Sequence, residues 1–392
     1  MKVAVIGQGY VGLPLALAAA DAGHEVIGID LDESLVNLLN SGKSPIIDVE
    51  NLRIQKNITN GSYTASTQFS DIVDCDVLLI CVPTPLNSEH KPDYSILEKA
   101  LTSISENLMA GALVILESTV GTGTTRKIGA KILDTAGKNY FLAYSPERID
   151  PSNQVWNVTN TPKLVAGIDA NSGKKALDFY KTFVKEVHLG ESLEVVETAK
   201  LLENSFRLIN ISFVNEMAKF CWKFGIDILD VIEAAATKPY GFMPFYPSAG
   251  IGGHCIPVDP AYLQEVSKGA GIPLKSIDIA MEINDSLPEF ISRVAIDNIG
   301  PLTGKRILLV GICYKPNVAD TRETPAKAII EILRENGAEV FWQDDLVSEW
   351  NGEKTVELGP NYHLAILLNP HTSTDINLLK DMPIINARRG YL

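Results

Sequence analysis

The chain has 392 residues, 46% of them hydrophobic and 21% charged, with a formal net charge of −14 at pH 7. This length exceeds a single compact core and predicts two or three domains, and the composition excludes a disordered or fibrous protein. The acidic balance argues against a general nucleic-acid or anionic-membrane binder, so an anionic ligand would need a local basic pocket.

Met1-Lys2 leads straight into the short apolar run Val3 to Ile6, which is neither a signal-peptide core nor a spanning helix. A cytoplasmic location with no membrane or nucleic-acid partner is expected. Gly7-Gln8-Gly9-Tyr10-Val11-Gly12 then separates that strand from a helix over Leu13 to Ala22. In this context a GxGxxG turn is a dinucleotide cradle: Gly7 makes the tight turn, Gly9 admits the pyrophosphate, and Gly12 lets the helix pack closely. Asp30 ends the next strand, Glu25 to Asp30, where a carboxylate accepts from the adenosine ribose hydroxyls and repels a 2′-phosphate. NAD is therefore the expected cofactor.

Further strands are predicted at Val77 to Val82, Leu113 to Glu117 and Phe141 to Tyr144, alternating with helical stretches in the manner of a doubly wound parallel sheet. Beyond Leu189 the texture changes to a long helix over about Leu193 to Phe224 and a second near Ile228 to Ala236. The long helix suits a central spacer or a dimer-forming helix. Lys200 and Asn204 lie four apart on it and share a face, where a cation and an amide donor could hold an oxyanion or a water.

The segment Ala249 to Pro260 places Cys255 among glycines, and Asp259 follows closely. A thiolate there can attack a carbonyl carbon, form a thiohemiacetal and, after hydride loss, a thioester that water cleaves. The other cysteines (Cys75, Cys81, Cys221, Cys313) sit in apolar or helical segments, where a thiol behaves as a small hydrophobe. The six histidines show no metal-ligand spacing, and no metal is expected. From Arg306 the strand and helix pattern resumes with an echo of the start. Lys2 to Gly7 resembles Arg306 to Gly311, and Gly23-His-Glu-Val26 resembles Gly337-Ala-Glu-Val340. The second copy lacks the glycine fingerprint and carries an insertion with Pro316, Asp320, Arg322 and Pro325, so it should not bind a dinucleotide in the usual way.

Together with Cys81-Val-Pro-Thr-Pro85, Glu117-Ser-Thr-Val120, Ser145-Pro-Glu-Arg148, Ala199 to Asn204, Gly252 to Asp259 and Tyr314-Lys315 through Pro325, these motifs resemble the UDP-glucose/GDP-mannose dehydrogenase family over essentially the whole chain. The resemblance implies two Rossmann-like doubly wound domains joined by a long central helix: residues 1–190 for NAD, 191–295 for the helical dimerisation region with the cysteine loop, and 296–392 for the UDP-sugar. It implies a homodimer and a four-electron oxidation of a sugar C6 alcohol to the acid through a Cys255 thioester. By the same resemblance Lys200 and Asn204 stabilise oxyanions, and Thr119, Glu147 and Asp259 position or activate water. Gly7, Gly9, Tyr10, Val11, Gly12, Asp30, Thr84, Thr119 and Arg322 contact NAD. Glu147, Arg148, Lys200, Asn204, Phe245, Tyr246, Ser248, Gly252 and Lys315 contact the UDP-sugar. Where UDP-glucose members have a second glutamate four residues after the first, this chain has Pro151, and it has Val258 where they have a lysine. The loop resembles the branch acting on N-acetylated sugars, UDP-N-acetylglucosamine in particular. UDP-N-acetylmannosamine, UDP-N-acetylgalactosamine and UDP-glucose are the alternatives, and a simple two-electron hydroxyacid dehydrogenase, with no need of Cys255, is a distant one.

Overall fold

A computed structural model describes residues 1–46, 49–150, 153, 155–253 and 256–391. The chain divides into two compact units, Met1–Leu202 with Ala261–Ala270, and Glu203–Pro260 with Gly271–Leu392.

The first unit is built on β1 (Lys2–Ile6), β2 (Glu25–Ile29), β3 (Tyr63–Ser66), β4 (Val77–Ile80), β5 (Leu113–Leu116), β6 (Phe141–Tyr144), β7 (Lys163–Gly167) and β8 (Val187–Leu189). Among the described residues these eight strands form one sheet in the order β3-β2-β1-β4-β5-β6-β7-β8. Pairing is parallel from β3 through to β6, and β7 runs antiparallel to β6. The order reverses between β1 and β4, the switch point where open α/β sheets bind ligands beyond their carboxyl ends. The strands are short apolar runs because both faces are covered. In β1, Val3 and Val5 face one hydrophobic core and Ala4 and Ile6 face another. Helices α1 (Gly12–Asp21), α2 (Glu33–Asn40), α3 (Asn51–Thr59), α4 (Ser95–Asn107), α5 (Lys131–Leu133, continuing a π-helical stretch at Thr125–Ala130) and α6 (Ala170–Tyr180) supply that cover. Sequence periodicity misses β3, β7 and β8, which are short or carry polar residues.

Helix α7 (Leu193–Lys223) is 31 residues long and contributes residues to both units. The second unit continues with α8 (Ile228–Ala236), α9 (Asp259–Gly269), α10 (Lys275–Asp285), α11 (Leu287–Ile299) and α12 (Ala326–Glu335), of which α9 belongs largely to the first unit. Its strands are β9 (Arg306–Val310), β10 (Glu339–Gln343), β11 (Glu349–Trp350), β12 (Glu353–Lys354), β13 (Leu364–Leu367) and β14 (Ile384–Asn386). The sheet runs β10-β9-β13-β14, all parallel, and β11 and β12 form a separate antiparallel ribbon. Buried Ala326, Ile329, Ile330 and Leu333 give α12 the spacing of a helix with one apolar face.

The echo seen in the sequence is structural. Lys2 pairs with Glu25 as Arg306 pairs with Glu339. Gly7 donates its N–H to Ile29 O at 2.7 Å, and Gly311 to Gln343 O at 2.9 Å, both at positive φ. Asp30 and Asp344 each follow the second strand of their copy. Among the described residues no helix is long and apolar enough to cross a membrane.

Candidate active site

At the end of β1 a Cβ on Gly7 would lie 2.7 Å from Cys81 O, and one on Gly12 would lie 1.8 Å from Gly7 O, so neither position admits a side chain. A Cβ on Gly9 would meet nothing within 4 Å. The loop is therefore closed against the protein at Gly7 and Gly12 and open at Gly9, the side from which a pyrophosphate would approach. Tyr10 is 39% exposed, and Val11 lies in the helical region as α1 begins. The Asp30 carboxylate accepts from Gln8 N at 2.8 Å and Asp32 N at 3.1 Å, which fixes it against the glycine loop. Buried Gln8 braces the turn from beneath, its amide donating to Val5 O at 2.7 Å and accepting from the Tyr63 hydroxyl at 2.8 Å. This donor set fits a dinucleotide with free ribose hydroxyls.

The carboxyl ends of β4, β5 and β6 carry the next group. The Thr84 hydroxyl donates to Thr119 O at 2.8 Å, and Tyr262 OH donates to Thr84 O at 2.7 Å. Glu147 Oε1 accepts from the main-chain N–H groups of Arg148 at 2.6 Å and Ile149 at 2.8 Å. Lys200 Nζ donates to Glu147 O at 2.7 Å, so these two expected site residues meet, and Arg148 Nη1 is turned to Pro162 O at 2.9 Å.

In the second unit Asn204 donates its side-chain amide to the Asp259 carboxylate, which is 2% exposed. The loop leading to the cysteine is held by two helix amides. Asn215 Oδ1 takes Ser248 N at 2.8 Å, and Asn284 Oδ1 takes Ile251 N at 2.8 Å. Gly253 N donates to Arg322 O at 3.1 Å. A Cβ at Gly252 would lie 2.7 Å from Glu323 O, and one at Gly253, where φ is +83°, 2.8 Å from the Tyr314 ring. The insertion in the second copy thus packs on the cysteine loop, which explains its glycines. Arg322 forms an ion pair with Asp320 at 2.6 Å. Phe245 packs on Phe206 at 5.8 Å between ring centroids, Tyr246 is 55% exposed, and Lys315 is half-buried. Cys255 and Pro151 lie outside the described residues.

Sequence models of the UDP-glucose/GDP-mannose dehydrogenase family match three consecutive stretches: the NAD binding domain at residues 1–184, the central domain at 194–286 and the UDP binding domain at 308–377. The chain belongs to the UDP-glucose/GDP-mannose dehydrogenase family. It is 35% identical to the UDP-N-acetyl-D-mannosamine dehydrogenase of Methanococcus maripaludis over 86% of this chain and 78% of that one. A solved UDP-D-ManNAc dehydrogenase structure from Pyrococcus horikoshii matches with TM-score 0.91 and 31% identity, covering 100% of this chain and 96% of that chain. The native UDP-N-acetyl-mannosamine dehydrogenase structure from Staphylococcus aureus matches with TM-score 0.85 and 28% identity, covering 100% and 95%.

As a member of this family the chain is an NAD-dependent oxidoreductase. Several residues of this family member escape a reading by residue type. Lys163 and Glu117 form a buried ion pair at 2.8 Å, the Tyr180 hydroxyl donates to the other Glu117 oxygen, and Lys163 lies 3.5 Å from Glu147. Burial pushes the Glu117 carboxyl up to about 7, with Lys163 pulling against it. Burial draws the Lys163 ammonium down, but the Glu117 and Glu147 carboxylates more than reverse this, leaving it raised. In the second unit Cys313, Asp344 and His371 come together, all buried, with potential ligand atoms within 4.8 Å of one another. The Asp344 carboxylate there accepts from Leu346 N at 2.9 Å, Cys313 N at 3.3 Å and His371 Nε2 at 2.8 Å, so it is satisfied by protein donors. Burial lifts the Cys313 thiol to about 12, which keeps it protonated. Spacing along the chain hides both clusters, because strand order alone brings their members together.

Proposed function

We propose that this chain oxidises the C6 alcohol of a UDP-linked N-acetylhexosamine to the carboxylate, with UDP-N-acetylmannosamine as the substrate. The observation that carries the epimer is the full-length likeness to proteins named as UDP-N-acetylmannosamine dehydrogenases. The residue pattern alone favours the glucosamine epimer, and these relatives shift the preference.

NAD held by the glycine loop and Asp30 would supply the hydride acceptor, one NAD for each two-electron stage. The first stage gives the aldehyde and releases the alcohol proton. The Cys255 thiolate then adds to the aldehyde carbon, and the thiohemiacetal oxygen carries the charge. Lys200 and Asn204 are proposed to stabilise that oxygen by a cation and an amide donor, lowering the cost of the alkoxide. Loss of the second hydride leaves the thioester. Water held by Thr119, Glu147 and Asp259 adds to its carbonyl, and the thiolate leaves, giving the acid. The close pairs Lys200 with Glu147 and Asn204 with Asp259 support this grouping. Residues 1–190 would serve the cofactor, 191–295 the dimer and the cysteine loop, and 296–392 the nucleotide of the sugar.

A homodimer is part of the proposal. Phe206, Phe213 and Phe220 on α7, and Phe224 in the turn just after it, are 47%, 60%, 53% and 65% exposed at intervals of seven, seven and four, apolar rings that a second copy would cover.

The test is to give the purified protein NAD and each of the UDP-linked N-acetylmannosamine, N-acetylglucosamine, N-acetylgalactosamine and glucose substrates, measuring NADH and acid by mass. Two NADH per acid and the highest kcat/KM for the manno epimer are expected, and Cys255→Ala should make no acid. One NADH per turnover would overturn the thioester route, and a preference for another sugar would overturn the substrate.

A further inference from the structure

We infer that Lys163 is a positioning residue for thioester hydrolysis, holding the Glu147 carboxylate beside a water-sized space while Glu117 and Tyr180 hold Lys163 in place. The inference rests on the reading of Glu147 as the group that positions or activates water.

The sheet explains how a lysine reaches this edge. β7 is antiparallel to β6, with Tyr144 opposite Ala166. Continuing that register by three residues sets Lys163, the first residue of β7, opposite Glu147. A parallel strand would have begun at the other edge of the sheet. Lys163 is 5% exposed, and lysine is almost never buried unless paired. Stability alone is a weak reason for a buried ion pair, since apolar side chains of similar volume commonly do as well.

The geometry is directional. Tyr180 and Lys163 occupy one oxygen each of Glu117. Two main-chain N–H groups fix Glu147 Oε1, while Oε2 is the oxygen that lies 3.5 Å from Lys163 Nζ. That contact is long, an ion pair more than a tight hydrogen bond, so it orients the carboxylate without locking it. A space of about 10 Å³, roughly one water, is lined by Glu147, Arg148, Thr161 and Lys163. One ammonium therefore serves two carboxylates, and its share of charge reaches the one that lines the water-sized space.

The experiment records NADH and acid release for the full-length protein with NAD and UDP-N-acetylmannosamine, together with intact mass to detect sugar bound to the chain. In Glu147→Gln acid release should slow and the covalent adduct should accumulate. Lys163→Met should also accumulate the adduct with the first-turnover NADH burst unchanged, because hydrolysis is slowed and hydride transfer is not. Lys163→Arg should restore acid release. A packing role would slow NADH formation and acid release together and leave no adduct. No adduct in any variant overturns the thioester reading, and wild-type acid release by Glu147→Gln overturns the role of Glu147. If Glu147→Gln stalls as the adduct but Lys163→Met does not, the inference about Lys163 is wrong. Should Lys163→Met not fold, the absence of adduct in Glu117→Gln, which loses the charged partner of Lys163, overturns the inference in its place.

Discussion

Replacing His371 by Ala should destabilise the second unit by about 3 kcal/mol. The Asp344 side chain is fully buried, and the imidazole, 1% exposed, is one of its principal donors at 2.8 Å. Asn317 N donates to His371 Nδ1 at 2.7 Å, so that nitrogen is the acceptor and Nε2 carries the hydrogen that Asp344 receives. Removing a hydrogen bond to a charged group costs about 1.5–3 kcal/mol, and the vacated ring volume adds to it. The limit for stranding a buried charge is about 3–5 kcal/mol, and the Leu346 and Cys313 N–H groups, which remain, hold the cost near the lower end. For a unit of this size the calorimetric transition should fall by about 6–12 °C. Burial raises the Asp344 carboxyl, but the His371 hydrogen bond and main-chain donors outweigh it and leave it below the ordinary value. Its contribution is therefore present above about pH 4 and lost as pH falls through the lowered folded value. The gap between wild type and His371→Ala should be full at pH 7 and narrow below pH 4. A transition lowered by less than about 2 °C at pH 7 would refute the claim that the imidazole sustains this carboxylate.

Asp30→Asn removes charge at the corresponding position of the first copy, where the carboxylate is half-buried and lies against the open glycine loop. NAD should bind about 10–100-fold more weakly by titration calorimetry, the loss expected for a hydrogen bond to a charged group, while the melting temperature changes little. Placing Asp at both Phe213 and Phe220 should convert a dimer to a monomer in sedimentation velocity, and a monomeric wild type would dispose of the proposed interface.

The turn from β1 to α1, the long helix, α8 and the internal echo are all legible in the sequence because each depends on residues close together along the chain. The helix expected at Ile228 to Ala236 and the observed α8 coincide. Asp30 is legible for the same reason, at a fixed distance from the glycines. Lys163 is not. It follows Pro162 in a polar stretch and becomes a buried cation only because β7 turns back against β6, bringing it to Glu117, 46 residues away. Gln8 reads as an unspecified position within the glycine motif, although its side chain is the brace between that loop and Tyr63, 55 residues on. Asn215 and Asn284 read as ordinary helix polar residues, and their work on the cysteine loop depends on tertiary packing that no periodicity reports.

The two related carboxylates have a kinetic corollary. Asp30 lies against the open glycine loop, whereas its counterpart Asp344 is buried and accepts from His371, Cys313 N and Leu346 N. Among the described residues the carboxylate that follows the second strand is thus open to a ribose diol in the first copy and taken up by protein donors in the second. On the proposed chemistry a reduced cofactor must depart and an oxidised one arrive between the two hydride transfers, so the half-oxidised sugar has to be retained through an exchange of cofactors.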